Sequence, residues 1–195
     1  VKLERGEQMA YKARMFNKQA ADSKNKPKEI LKALALQQGE KIADLGAGGG
    51  YYSLEFAEAV GRQGVIYALD TDPDKIEFIQ RSAAERGLSN VQAVLVEEKN
   101  VTLPEKVDLI FLRNVYHHIS NRVEYFAKLK ESLKPNGRIA IVEHNSSGRL
   151  SLHEIFEHRV AKENIIEEMI TAGYCIEESL DFLPKQSFTI FRLKE

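Results

Sequence analysis

Short apolar runs alternate with stretches of helical periodicity along most of this 195-residue chain. Residues 41–45, 65–69, 91–96, 107–112 and 138–143 predict five strands, and the nearly continuous run at 107–112 suits burial on both faces of a sheet. Between them, apolar residues recur every three or four positions. Pro27 opens one helix, with Ile30, Leu31, Leu34 and Ala35 as its stripe and Gly39 beyond it. A second covers 52–60 and stops at Gly61. A third lies in TDPDKIEFIQRSAAERG, residues 71–87, with Asp72 as cap, Pro73 in the first turn and Gly87 at the exit. Ser120 is placed to cap a helix through Leu133, with Val123, Phe126, Ala127 and Leu133 on one side, and KPNG then turns the chain into the fifth strand. A helix at 162–172 ends on Gly173. The last two strands, 175–182 and 188–193, are joined only by Leu183-Pro184-Lys185-Gln186. That link is too short for a parallel crossover, so they form an antiparallel hairpin. The sum is an α/β fold: a doubly wound, seven-stranded, mostly parallel Rossmann-like sheet with an antiparallel C-terminal strand.

Composition narrows this picture. A hydrophobic content of 43% sustains a buried core and argues against disorder. No apolar run reaches membrane-spanning length, and no charged-then-apolar leader opens the chain. One cysteine, Cys175, excludes an internal disulfide framework and a four-cysteine zinc site; it reads as a small buried hydrophobe, and the expected compartment is the cytoplasm. A net charge of −1 supplies no global field for nucleic acid. Residues 1–28 differ, with eight Lys and Arg against three acids, a local +5. This stretch reads as a solvated amphipathic helix or as a basic lid that meets an anionic substrate. The expected division is therefore an N-terminal basic helical lid segment at 1–26 and one domain at 27–195.

The chemistry begins at IADLGAGGGYYS, residues 42–53, where a strand hands over to a helix through a carboxylate and four glycines. Glycines there admit left-handed backbone and close approach of a ligand, and the helix that follows points its first amides into the same space. Ligands of open α/β sheets bind outside the carboxyl ends of the strands. Asp70, ending the second strand, is suited to a ribose diol of a dinucleotide or of another nucleoside. The turn discriminates between them. A GxGxxG pattern would use Gly46 and Gly48 and then meet Tyr51, whose ring opposes close helix packing. The pattern that fits is D-x-G-x-G-x-G, with Asp44, Gly46, Gly48 and Gly50. Asp44 plants a negative charge where a pyrophosphate would lie, which is costly in a low-dielectric crevice and favourable to an ammonium or sulfonium.

On DLGAGGG, ALDTDPDKI, VDLIFLRNVYHHI, LKPNGRIAIVE and the final hairpin, the chain from about residue 35 onward resembles the class I S-adenosylmethionine-dependent methyltransferases. It is similar in particular to small bacterial methyltransferases with a YHHI-like stretch after strand four and a DFLP-like stretch near the end, of a methyltransferase-domain family resembling the ubiquinone/menaquinone type. The resemblance implies S-adenosylmethionine as co-substrate, held at Asp44, Gly46, Ala47, Gly48, Gly50 and Tyr51, with its ribose at Asp70 and Thr71 beside it. Asp44 would face the methionine moiety, Asn114 the donor's amine, and Arg113 its carboxylate or an anionic substrate. Many family members place an aspartate after strand three to receive the adenine amine. Here VEEKNVTLP offers Glu97, Glu98 and Asn100, of which Glu98 is taken, with Val96 or Val101 against the adenine face.

Methyl transfer from a sulfonium is an in-line displacement that rests largely on alignment and exclusion of water. A base is needed only when the acceptor must lose a proton. His117 and His144 are the base candidates, since imidazole titrates near working pH; His118 reads as a packing or capping residue. Tyr11 and Phe16 would lie over the donor cation as a lid or simply dock their helix. His153 with Glu157, and Glu154 with His158, have a spacing compatible with a metal, but surface ion pairing accounts for it and no metal is expected. The expected activity is methyl transfer to a small-molecule acceptor by a cytoplasmic monomer or homodimer with no membrane or nucleic-acid partner. The alternatives are a tRNA or other macromolecular methyltransferase using the basic segment, and a non-catalytic S-adenosylmethionine-binding protein.

Overall fold

The computed structural model describes residues 5–97, 99, 101–144 and 160–194. Its chain divides into two compact units, Val1–Glu97 and Glu98–Glu195. Strand order is β3-β2-β1-β4-β5-β7-β6, the mostly parallel α/β sheet that the alternation predicts.

The first unit runs α1 (Arg5–Ala21), a 3-10 turn (Ser23–Asn25), α2 (Pro27–Ala33), β1 (Lys41–Leu45), α3 (Tyr51–Val60), β2 (Val65–Asp70), α4 (Pro73–Glu85) and β3 (Val91–Leu95). β1 and β3 both pair with β2 in parallel, from Lys41↔Val65 to Leu45↔Leu69 and from Ile66↔Val91 to Asp70↔Leu95. Ile42, Ala43, Ile66 and Ala68 are fully buried, as apolar runs covered on both faces require. α3 contributes Phe56, Ala57 and Val60 to this core, and α4 contributes Ile76, Ile79 and Ala83. The start of α4 is as read: the Asp72 side chain accepts from the Asp74 amide at 3.0 Å, with Pro73 in the first turn. α1 packs against α3 and α4, and its Ala13 and Ala20 are buried.

The second unit holds β4 (Val107–Arg113), a 3-10 turn (Tyr116–His118), α5 (Arg122–Leu129), a 3-10 turn (Lys130–Ser132), β5 (Leu133–His144), α6 (Lys162–Thr171), β6 (Tyr174–Leu180) and β7 (Gln186–Leu193). β4 and β5 are parallel; β7 lies antiparallel to both β5 and β6, so the short final connection does make a hairpin. Three expectations are corrected. Asn121, in the left-handed region at φ 48°, precedes α5 with no side-chain cap, so Ser120 does not start the helix. α5 ends at Leu129 rather than Leu133, and KPNG lies within β5: pairing jumps from Val107↔Leu133 to Leu109↔Arg138, leaving residues 134–137 as an excursion, with Lys134 returned to Asp108 at 2.7 Å. Cys175 is exposed rather than buried, because β6 is an edge strand with most side chains in solvent.

α5 and α6 are tied through Glu168. Its carboxylate receives Arg122 Nε and Nη2 at 2.7 and 2.9 Å and the Tyr116 hydroxyl at 2.6 Å, while the guanidinium lies 5.2 Å over the Tyr116 ring. Burial, then the Glu168 contact, pushes the Tyr116 hydroxyl well above its ordinary pKa, so it stays a donor. No helix among the described residues is long and apolar enough to cross a membrane.

Candidate functional site

In the first unit, the carboxyl ends of β1 and β2 carry two buried acids. Asp44 is 4% exposed and accepts from the Ser53 hydroxyl on α3 at 2.5 Å. Asp70, 5% exposed, accepts from the Gly48 amide at 2.9 Å, the Asp72 amide at 3.1 Å and the Lys75 ammonium at 3.1 Å. Between them the chain turns on Gly46, Gly48 and Gly50, with φ of 73°, 61° and 81°, a backbone that side-chain-bearing residues adopt at a cost. Gly50 also meets α4: a Cβ there would stand 2.8 Å from Ile79 Cγ1. The close packing that the third glycine permits thus falls at Gly50, which leaves room for the Tyr51 ring, set edge-on to Tyr52 at 5.2 Å.

The turn's amides are mostly engaged within the protein. Gly46 and Ala47 donate to the Leu69 carbonyl at 2.8 and 2.9 Å, Gly48 to Asp70, Gly50 to the Ala47 carbonyl at 2.8 Å, and Tyr51 to the Asn17 side chain at 3.1 Å. Phosphate-binding turns work by aiming such amides at the anion. Here five of them are engaged inside the protein, and two carboxylates flank the turn. The arrangement offers shape, ribose acceptors and negative charge, which fits a cationic nucleoside and opposes a diphosphate.

Of the other residues predicted for this half, Thr71 is exposed on the bend after β2, and Val96 is half-buried, with its amide on the Asp70 carbonyl at 3.1 Å. Glu98 and Asn100 lie outside the described residues. Tyr11 and Phe16 are 58% and 47% exposed on α1, with Lys75 Nζ 5.5 Å from the Phe16 ring centre.

In the second unit, β4 ends at the half-buried Arg113, and Asn114 follows in the left-handed region at φ 56°. Its amide donates to the Val142 carbonyl at 2.8 Å, and its side-chain oxygen accepts from Gln186 Nε2 at 2.7 Å. His117 comes off the 3-10 turn with Nδ1 3.1 Å from Glu143 Oε1. Glu143 is fully buried; the same Oε1 accepts the His144 amide at 2.9 Å, and Oε2 has no hydrogen-bond partner among the described residues. His118 is exposed, and its ring lies 4.0 Å from that of His117. The structure therefore brings His117 and His144 to one carboxylate that the sequence reading assigned only to a strand end. A signal was present: a lone acid closing the apolar run IAIV must find a partner if that strand is buried. Gln186 carried no local signal, since its partner is 72 positions away. A cavity beside α5, lined by Val101, Ser120, Asn121, Glu124, Tyr125 and Lys128, includes one of the two valines expected against the adenine face but none of the predicted carboxylates, glycines or histidines. No cluster of three or more potential metal ligands occurs among the described residues, and the pairings of His153, Glu154, Glu157 and His158 lie outside them.

A fold with glycine turn and acids at strand ends defines a nucleoside-binding α/β class, and comparison with known proteins narrows it. The methyltransferase domain family matches residues 36–185, and the chain belongs to it. It is 31% identical over 103 residues to aklanonic acid methyltransferase DauC of Streptomyces sp. (strain C5), covering 52% of this chain and 47% of that protein. It is 24% identical over 132 residues to demethylmenaquinone methyltransferase of Geobacillus sp. (strain WCH70), covering 66% and 55%. The chain thus spans about half the length of these curated relatives. The crystal structure of a SAM dependent methyltransferase from Aquifex aeolicus shares the fold, with a TM-score of 0.83 at 22% identity over 97% of this chain and 98% of that one.

Proposed function

We propose that this chain transfers a methyl group from S-adenosylmethionine to a small-molecule acceptor by in-line displacement. The observation that carries the reading is the internally satisfied glycine turn between two buried carboxylates, in a chain of the methyltransferase domain family. Asp70 would hold the ribose diol, which competes with Lys75 for the same oxygens. The turn from Gly46 to Tyr51, Ala47 included, would pass close to the nucleoside, and Asp44, oriented by Ser53, would attract the cationic methionine end. Thr71 and Glu98 remain expected contacts of the nucleoside, and Arg113 and Asn114 of the amino-acid end. S-adenosylmethionine supplies an electrophilic methyl on sulfonium. The chain's task is then to align the acceptor and exclude water.

His117 is the base in this reading. With Nδ1–H donated to Glu143, the imidazole carries its lone pair on Nε2, and the carboxylate stabilises the imidazolium that forms. An acceptor O–H or N–H releases its proton to Nε2 as the heteroatom's electron pair takes the methyl. His144 lends Glu143 its backbone amide, so its part is to steady that carboxylate. The test is calorimetric titration of the full chain with S-adenosylhomocysteine and with NADH. Binding of the first and not the second is expected; binding of NADH alone would end the reading.

A further inference from the structure

The run GAGGG has one glycine more than its backbone angles need. Gly46, Gly48 and Gly50 have positive φ, and Gly49 does not. A Cβ on Gly49 would fall 2.2 Å from Asn17 Oδ1 and 2.3 Å from the Ala13 carbonyl oxygen. Gly49 is therefore glycine because α1 lies against it. The helix achieves that approach on a face of small residues, Ala13 and Ala20, with Asn17 between them.

Asn17 uses both ends of its amide there. Nδ2 donates to the Gly49 carbonyl at 2.8 Å and Oδ1 accepts from the Tyr51 amide at 3.1 Å. The opposite orientation would set donor against donor and acceptor against acceptor, so the hydrogen bonds fix the assignment. Tyr51 is the first residue of α3, and its N-cap, Gly50, has no side chain with which to cap the helix. The first amides of a helix need partners from outside it. Asn17 supplies one in trans, from 34 positions earlier. The turn is pinned at two points: Asp70 holds the Gly48 amide and Asn17 holds Gly49 and Tyr51.

We infer that Asn17 is a positioning residue of the donor site, and that α1 is a wall of that site rather than an appendage to it. Releasing Gly49 and Tyr51 lets the turn drift, and with it the Gly48 amide that orients Asp70 toward the ribose. This inference rests on the donor reading above, and the experiment separates the two. S-adenosylhomocysteine is titrated at 25 °C into wild type, Asn17→Ala, Gly49→Ala and the double variant, each shown folded by circular dichroism. Each single variant is expected to lose about tenfold in affinity, the order of one or two buried hydrogen bonds. The double variant should lose less than the two losses combined, because both changes break the Asn17 contact and only the Gly49→Ala clash with the Ala13 carbonyl is separate. Lys12→Ala, exposed on the same helix, should bind as wild type does. Absence of wild-type binding defeats the donor reading itself. Wild-type binding with a folded Asn17→Ala within twofold of it overturns the positioning role. Amide hydrogen exchange on the unaltered chain covers variants that do not fold. The Tyr51 amide should exchange as slowly as the interior of α3, and slower still with S-adenosylhomocysteine; exchange at the rate of an open amide would overturn the inference.

Discussion

At the scale of single residues, the most consequential side chain is one that its own position in the sequence barely advertises. Glu143 is fully buried, and a carboxylate in that setting requires hydrogen bonds and a cationic or dipolar partner. It has the His144 amide and the His117 ring. Removing the ring strands the charge. His117→Ala is thus expected to destabilise the chain by about 3 kcal/mol, the order seen when one partner of a buried pair is deleted. Adding Glu143→Gln to that variant should restore more than half of the loss, since a neutral amide is far cheaper to bury. Urea unfolding of the two singles and the double measures this coupling; additive effects would mean that the 3.1 Å contact is incidental. The catalytic counterpart is separate: His117→Ala should keep S-adenosylhomocysteine affinity and lower turnover of a proton-bearing acceptor by about 10²–10⁴-fold. His117 was legible from its place after an apolar run, and Asp44 and Asp70 from ending such runs. Glu143 was legible as a strand residue and not as a site residue, because the contact that gives it a role joins two segments 26 positions apart.

At the scale of elements, periodicity located the helices and strands well, and local capping chemistry located their ends unevenly. α4 obeyed its cap, because Asp72 and Pro73 act within one turn. α5 did not, because Asn121 enters the left-handed region and leaves Ser120 outside the helix. What α5 lacks in a cap it gains from Arg122, whose grip on Glu168 binds it to α6. Burial disfavours the charged form of Glu168, but the hydrogen bonds from Arg122 and Tyr116 and the guanidinium charge outweigh it and hold the carboxyl below the usual carboxylate range. A group whose pKa is lower in the folded than in the unfolded chain contributes stability above its unfolded pKa and loses it as pH falls through the folded value. Wild type is therefore expected to exceed Glu168→Gln in stability by a constant margin from neutral pH down to about 5, the upper edge of ordinary glutamate titration. That margin should shrink progressively in more acid solution. Denaturant unfolding at pH 7, 5 and 3 reads it, and a margin indifferent to pH would show that Glu168 binds α5 without its charge.

At the scale of the whole molecule, the order of elements was legible because each α/β step is local, while the reasons for the site's geometry are not local at all. Asn17 reaches Gly49 across 32 positions and Gln186 reaches Asn114 across 72. No window of the sequence contains either pair. The four-glycine run shows the consequence: three members follow from backbone angles and from D-x-G-x-G-x-G, but the fourth has meaning only once α1 is seen against it. A ligand that binds the folded turn and not the unfolded chain should stabilise the fold. At a hundredfold excess over its dissociation constant, a ligand specific for the folded state adds about 2.7 kcal/mol. For a chain of this size that corresponds to a rise of about 5–11 °C in melting temperature, at about 2–4 °C per kcal/mol. S-adenosylhomocysteine is expected to produce this rise and NADH none. Asp70→Ala removes the ribose acceptor and should shrink the rise to about 1–6 °C at the same ligand concentration, since hydrogen bonds to a charged group account for about a 10–100-fold change in affinity. An equal rise in Asp70→Ala would place the nucleoside elsewhere on the chain and would detach the glycine turn from the function assigned to it.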